Sequence, residues 1–201
     1  MVDSGTVRDV RICVVGDELV AGVGDPRALG WTGRVAARTE VPSGRLTVFP
    51  LGVPGEGTAA MVARVDAETA RRFTPDTDNR LVIGLGTADL AAGSSLARSR
   101  LSLANVLDYA RARSVPCFVV GPPPSGDPAF DERVAELTAG FADVCQRRSV
   151  RFVDCCGPLV SHDQWHADLG ADGLPGQSGY GLLAWLVLHG GWHTWLDLPQ
   201  D

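Results

Sequence analysis

The stretch Val14-Val15-Gly16-Asp17-Glu18-Leu19 decides the fold of this chain, and it runs on into Ala21-Gly22-Val23-Gly24-Asp25. The residues before Gly16 are apolar and β-branched, which favours a buried strand. Gly16 and Asp17 follow at once and are typical of a tight turn that leads into a helix. A strand that ends in this way predicts a parallel sheet with polar residues gathered outside its carboxyl ends.

Strand-like and helix-like segments alternate along the rest of the chain. Short apolar runs occupy residues 10–15, 46–51, 81–85, 117–120 and 150–154. Helical patterns occupy residues 31–39, 58–73, 96–113, 131–148 and 178–188. This alternation predicts one domain over residues 1–201, an α/β fold of the flavodoxin-like kind. We expect a three-layer α/β/α sandwich around a five-stranded parallel sheet, with Trp185, Trp192 and Trp195 packed as a C-terminal anchor.

Composition narrows the classes of function. The net charge is −6 and basic runs are missing from the sequence, which argues against a nucleic-acid partner. The apolar stretch at 182–188 is too short to span a bilayer, and the first nine residues lack the pattern of a signal peptide. We therefore expect a cytoplasmic protein with no membrane partner. The five cysteines form no C-x-x-C pair and are interpreted as buried, reduced thiols, and no cofactor is predicted.

Four short blocks, in order along the chain, resemble those of the GDSL/SGNH hydrolase family. They are Gly16-Asp17-Glu18-Leu19, Leu51-Gly52-Val53-Pro54-Gly55-Glu56-Gly57-Thr58, Gly86-Thr87-Ala88-Asp89, and Asp172-Gly173-Leu174-Pro175 with Gly179-Tyr180. The Gly-Pro-Pro-Pro run at 121–124 is similar to the family as well. The resemblance covers essentially the whole chain, and it implies the family's fold and a relationship to esterases and acylhydrolases.

The resemblance fails at the residues that would carry the family's chemistry. The family's nucleophilic serine corresponds to Glu18, and the asparagine that donates to the oxyanion corresponds to Ala88. The histidine base corresponds to Pro175 or has been deleted, while the oxyanion glycine and the orienting aspartate remain as Gly55 and Asp172. Since nucleophile, base and one oxyanion donor are replaced together, ordinary serine esterase activity is not expected.

Two functions of different classes remain open. The first is a catalytically silent or strongly impaired member that binds a small molecule in the cleft, with Trp165 as a lining residue; a protein partner is a further option. The alternative is a non-standard hydrolase that uses Glu18 as nucleophile or base, with Asp172 and His166 in support. His166 lies in a segment that we interpret as a loop, where a solvated histidine is the simpler interpretation.

The carboxylates Asp17, Glu18, Asp89 and Asp172 suggest a further alternative, because oxygen ligands suit Mg²⁺ or Ca²⁺. Asp17 and Asp89 are, however, at positions where an aspartate braces a loop through backbone N–H groups. None of the histidines or cysteines has metal-ligand spacing. The bracing interpretation is favoured, and no metal is predicted.

Overall fold

A single parallel sheet organises the chain in the computed structural model, which describes residues 7–199. Its strands are β1 (Asp9–Gly16), β2 (Arg45–Gly52), β3 (Asp78–Gly84), β4 (Cys117–Val120) and β5 (Arg151–Val153). Their order across the sheet is β2-β1-β3-β4-β5. Gly16 is level with Gly52 on one side and with Gly84 on the other. Three glycine-ended strands therefore finish together at one edge of the sheet.

Helices follow the strands and cover both faces of the sheet. They are α1 (Glu18–Ala21), α2 (Gly30–Ala36), α3 (Thr58–Ala70), α4 (Ala88–Ala91), α5 (Leu96–Ala112), α6 (Pro128–Arg147), α7 (Cys156–Leu159), α8 (Asp163–Asp168), α9 (Gln177–Val187) and α10 (His193–Trp195). A π-helical segment (Leu188–Trp192) joins α9 to α10. Within residues 7–199, none of these helices combines the length and the apolar character needed to cross a membrane.

Two apolar cores lie on opposite faces of the sheet. Ile12 and Val14 of β1 pack in one core with Trp31 of α2 and with α9. Cys13 and Val15, which alternate with them, pack in the other core with α3, α5 and α6. Both faces of β1 are therefore buried, as expected of a central parallel strand. The predicted three-layer α/β/α sandwich is confirmed, and the five strands fall at the predicted places with shifts of a few residues at their ends.

The C-terminal tryptophans only partly follow the prediction. Trp192 is buried and meets the ring of Phe118 edge-on at 5.4 Å, and the guanidinium of Arg80 lies 5.3 Å from the ring of Trp195. Trp185 is 55% exposed and stacks on His189 instead, so the prediction that it anchors the tail is wrong. The reason is helical geometry: the neighbouring positions of α9, not that of Trp185, face the sheet.

The segment around Trp165 is a helix and not the predicted loop. His162 caps α8 by accepting a hydrogen bond at Nδ1 from the Trp165 N–H, at 3.4 Å. The Trp165 side chain is fully buried in the core on the α9 side. Burial of this large side chain stabilises α8, which has six residues and is too short to be predicted from hydrophobic periodicity.

Candidate active-site cleft

The turn after β1 places two adjacent carboxylic acids where the strands end. Asp17 is the N-cap of α1, and its Oδ1 accepts a hydrogen bond from the Leu19 N–H at 3.0 Å. Glu18 is the first residue of α1 and is half-buried. The cap satisfies an N–H group at the start of α1 and so stabilises its first turn.

The Glu18 carboxylate is bound to the backbone of the second block. Its Oε2 accepts a hydrogen bond from the Gly55 N–H at 2.7 Å. Gly55 has a φ of 76°, a left-handed conformation that favours glycine, and this conformation presents the N–H to Glu18. A charge-assisted bond of this length is among the stronger hydrogen bonds in proteins. The Glu18 carboxylate thus accepts a hydrogen bond from the N–H group that the family resemblance assigns to the oxyanion.

Asp17 is the most perturbed acid at this edge of the sheet. It is 1% exposed, and its Oδ2 is buried without a hydrogen-bond partner among residues 7–199. Burial, reinforced by the adjacent Glu18 carboxylate, raises the pKa of Asp17 from 3.8 to about 7. Sequence reasoning favoured a bracing role for Asp17, with metal binding as the alternative, although the apolar residues 12–15 before it are a signal of burial.

Two further acids brace the loops of the cleft. Asp89 accepts hydrogen bonds from the Thr58 N–H at 3.0 Å and from the Thr58 hydroxyl at 2.7 Å, which ties α4 to the start of α3. Glu56 accepts at Oε1 from Arg64 Nε at 2.6 Å, and Arg64 also donates to the Leu51 carbonyl. The hydrogen bonds of Asp89 are those of a loop brace, which was the favoured interpretation of this residue. Glu56 and Arg64, which the sequence did not single out, hold the loop that carries Gly55.

A cavity of about 40 Å³ lies beside Glu18. Its walls are mostly apolar, and they comprise Glu18, Leu19, Thr87, Pro123, Pro124, Ser125, Trp165, Gly173, Leu174 and Pro175. Trp165 is held in this wall by a hydrogen bond from its Nε1 to the Pro124 carbonyl at 3.0 Å. Ala88, at the start of α4, has only a methyl group, at the position that the family resemblance assigns to an asparagine. The cavity therefore places the Glu18 carboxylate beside a mostly apolar wall.

The remaining predicted site residues make their contacts elsewhere. The exposed His166 has its Nε2 at 2.9 Å from the Val160 carbonyl, and the exposed Asp172 accepts at Oδ1 from the Leu174 N–H at 3.1 Å. Leu174 and Pro175 line the cavity, and Pro175 is the position to which the family resemblance assigns the base. The structure thus joins Glu18 to Gly55 and places Glu18 in the same cavity wall as Trp165. His166 and Asp172 make their contacts outside that wall. Across the described part of the chain, no cluster of His, Cys, Asp and Glu has the form of a metal site.

The glycine-ended sheet, the cleft outside its carboxyl ends and the four blocks around it define a protein of the SGNH-hydrolase class. The sequence profile of the GDSL-like Lipase/Acylhydrolase family matches residues 14–189. The chain belongs to that family. A search among curated proteins finds no match.

Solved structures share the fold. A lipase/acylhydrolase from Enterococcus faecalis is 21% identical, with a TM-score of 0.74 and coverage of 95% of this chain and 98% of its own. A member of the lipolytic G-D-S-L family from Veillonella parvula is 18% identical, with a TM-score of 0.76 and coverage of 90% and 97%. A mutant of an acetyl-xylooligosaccharide esterase from Geobacillus is 15% identical, with a TM-score of 0.77 and coverage of 95% and 97%. At these identities the likeness establishes the fold alone.

Proposed function

We propose that this protein is a catalytically silent or strongly impaired member of its family, and that its cleft binds a small ligand in place of hydrolysing an ester. The observation that carries the proposal is the 2.7 Å hydrogen bond from the Gly55 N–H to the Glu18 carboxylate. An oxyanion hole works by keeping its donors free for charge that develops in the transition state. Here the Glu18 carboxylate already accepts from this donor, so an oxyanion would have to displace it.

The base of the reaction is missing from the same place. Leu174 and Pro175 form the cavity wall where a histidine would be needed, and neither side chain can accept a proton. A serine at position 18 would therefore remain without activation. The expected ligand is small and donates hydrogen bonds, because the polar group most directly available to it is the Glu18 carboxylate. Its apolar part would lie against Leu19 and Leu174, the half-buried apolar residues of the cavity wall.

The Gly55 amide provides a direct test. In the native protein we expect its NMR signal to be unaffected by acetate, which mimics an oxyanion. In Glu18→Ala the N–H is freed, and acetate should shift the signal with a dissociation constant in the millimolar range, an affinity of about 4 kcal/mol. Glu18→Gln is the matched control, because its amide oxygen can still accept the bond. Acetate binding to Gly55 in the native protein would contradict the proposal.

The alternative is a hydrolase based on Glu18, and one feature of the geometry favours it. Glu18 is half-buried, and its Oε1 has no hydrogen-bond partner among residues 7–199, so this oxygen is free to act as nucleophile or base. Hydrolysis of p-nitrophenyl acetate by the native protein and by Glu18→Gln separates the two functions. We expect both rates to equal the rate in buffer, and both proteins to stay unlabelled by a fluorophosphonate probe. Turnover that disappears in Glu18→Gln would establish the alternative.

A further inference from the structure

The wall of the cavity beside Glu18 carries a single formal charge. Glu18 is the one ionisable side chain that lines it, and no lysine, arginine or histidine takes part in the wall within the described part of the chain. Arg34 and Arg64, which hold adjoining loops, are already paired with Asp25 and Glu56. The cavity is therefore negatively charged, and no cation in its wall balances that charge.

The groups around the turn after β1 add to this negative charge. Burial is the main cause of the raised pKa of Asp17, and the two charges that add to the effect, those of Glu18 and Glu56, are both acidic. Burial also raises the pKa of Tyr180, and Asp17 and Glu18 contribute there as well. The electrostatic potential at this edge of the sheet is therefore negative, and it favours a cation over a neutral or anionic ligand.

Glu18 has one carboxylate oxygen left for a ligand. Its Oε2 accepts from the Gly55 N–H at 2.7 Å, whereas its Oε1 has no hydrogen-bond partner within residues 7–199. Thr87, the N-cap of α4, also lines the cavity, and its hydroxyl makes no capping hydrogen bond. A guanidinium binds a carboxylate best through both oxygens at once, and one of the two is engaged here. An ammonium group donates up to three hydrogen bonds from a single nitrogen, so one free oxygen and a hydroxyl suit it better.

The volume of the cavity limits the group that enters it. A volume of about 40 Å³ exceeds the ~10–15 Å³ that one water molecule needs, and it is far below the roughly 300–1,000 Å³ of a pocket for a drug-sized ligand. It suits a head group of a few atoms. Leu19 and Leu174 are the half-buried apolar residues of the wall, and they suit the carbon atoms next to a charged nitrogen. A quaternary ammonium is bulkier and has no N–H to donate to Glu18.

On the basis of the binding function proposed above, we infer that the cleft takes a primary ammonium group carried on a short alkyl chain. The nitrogen donates to Glu18 Oε1 in a charge-assisted hydrogen bond, which is stronger than the bond from a neutral donor. The first carbons of the chain contact Leu19 and Leu174, and the rest of the ligand extends towards solvent. The ligand class is thus an alkylamine, or a molecule with an aminoalkyl end, and not an ester or a carboxylic acid.

Titration with propylammonium chloride tests this site, followed by the backbone amide NMR signals of Glu18, Gly55 and Thr87, with sodium chloride keeping the ionic strength constant. We expect a dissociation constant in the millimolar range for the native protein. Glu18→Gln keeps the acceptor for the Gly55 N–H and loses the charge, so its dissociation constant should be about tenfold higher or more. Glu132→Gln is the matched control, because Glu132 is exposed on α6 and makes no side-chain bond within residues 7–199. It should bind as the native protein does.

Three further probes test the charge, the shape and the size of the head group. 1-Propanol has the same chain without the charge, propylguanidinium has the charge in a planar fork, and tetramethylammonium has the charge without an N–H. Each should bind about tenfold more weakly than propylammonium, or less tightly still. Equal binding by any of the three would overturn the inference, and so would equal dissociation constants of propylammonium for Glu18→Gln and Glu132→Gln.

The same measurements distinguish this inference from the proposed function on which it rests. Binding of 1-propanol in preference to propylammonium would overturn the ammonium ligand and leave a silent, ligand-binding cleft in place. Hydrolysis of p-nitrophenyl acetate that depends on Glu18 would instead overturn the proposed function, whatever the cleft binds. Amide spectra of Glu18→Gln and Glu132→Gln that match the native spectrum away from the substituted residue confirm that both variants are folded.

Discussion

Asp25 and Asp89, which we call the supports of the cleft, differ in their hydrogen bonding from Asp17, which lies in the turn at its centre. Asp25 and Asp89 have both oxygens hydrogen-bonded, Asp25 by Arg34 and the Gly30 N–H, and Asp89 by Thr58. Asp17, equally buried at the centre, has one oxygen without a partner in the described part of the chain. The supports are therefore carboxyl groups whose hydrogen bonds stabilise the fold, whereas the centre holds a carboxyl group whose pKa is raised by burial.

The largest effect is expected where the supports are broken. Asp25→Ala removes the acceptor of a buried guanidinium and of several backbone N–H groups, and should lower the free energy of unfolding by about 3–5 kcal/mol. Arg34 and the backbone bonds also hold the pKa of Asp25 at about 2, so its contribution persists down to acidic pH. Urea denaturation measures the loss, with the exposed Asp76→Ala as the control. A loss no greater than that of the control would show that Asp25 is not a support.

The link between α4 and α3 should be the next most sensitive. Asp89→Ala leaves the N–H and the hydroxyl of the buried Thr58 without an acceptor, at a cost of about 2–3 kcal/mol in the free energy of unfolding. Asp89→Asn keeps one acceptor oxygen and should lose about half as much. Equal stability of Asp89→Ala and the native protein would mean that Thr58 has found other partners.

At the centre, the comparison predicts a pH dependence of opposite sign. The pKa of Asp17 is raised on folding from 3.8 to about 7, so its favourable contribution is complete below pH 3.8 and is lost as the pH rises through 7. Between about pH 5 and pH 7 the loss should be on the order of 2 kcal/mol. Asp17→Asn keeps the acceptor for the Leu19 N–H and cannot ionise, so its unfolding free energy should be flatter over this range. Parallel pH profiles for the two proteins would refute the prediction.

The smallest change is expected at Glu18. Glu18→Gln keeps an acceptor for the Gly55 N–H and should alter the free energy of unfolding by about 1 kcal/mol or less. Because the Glu18 charge helps to raise the pKa of Asp17, the pH-dependent loss of stability in Glu18→Gln should move to lower pH. The same urea series, repeated across pH, measures both. If the midpoint of the pH-dependent loss of stability does not move, the Glu18 charge does not act on the pKa of Asp17, and the prediction is wrong.

The fold was predictable because the relevant signals are local. Apolar runs such as 81–85 and the glycine turns after them are properties of adjacent residues, and their order along the chain determines the sheet. The resemblance to a family then added the positions of Glu18, Gly55 and Ala88. Trp185 and α8 were mispredicted, because the direction of one helix face and the existence of a six-residue helix depend on tertiary packing.

The details of the site were harder to predict for the same reason. The bond between Glu18 and Gly55 joins residues 37 positions apart in sequence. The engagement of His166 by Val160 and the unpartnered oxygen of Asp17 likewise depend on which side chains face one another after folding. The sequence singled out Glu18 and Gly55, but only the structure reveals that the two are hydrogen-bonded to each other.

Gly86 has an influence on the cleft out of proportion to its size. A β-carbon built at this position would lie 1.5 Å from Asp17 Oδ2, so even alanine would force that carboxyl group to move. Any displacement towards water would lower the proton affinity of Asp17, because burial is the main cause of its raised pKa. A residue with no side chain and no titratable group thus controls the acid–base chemistry of its neighbour. In a redesign of this cleft, a larger residue at position 86 would change the pKa of Asp17, because only glycine leaves room for the buried carboxyl group.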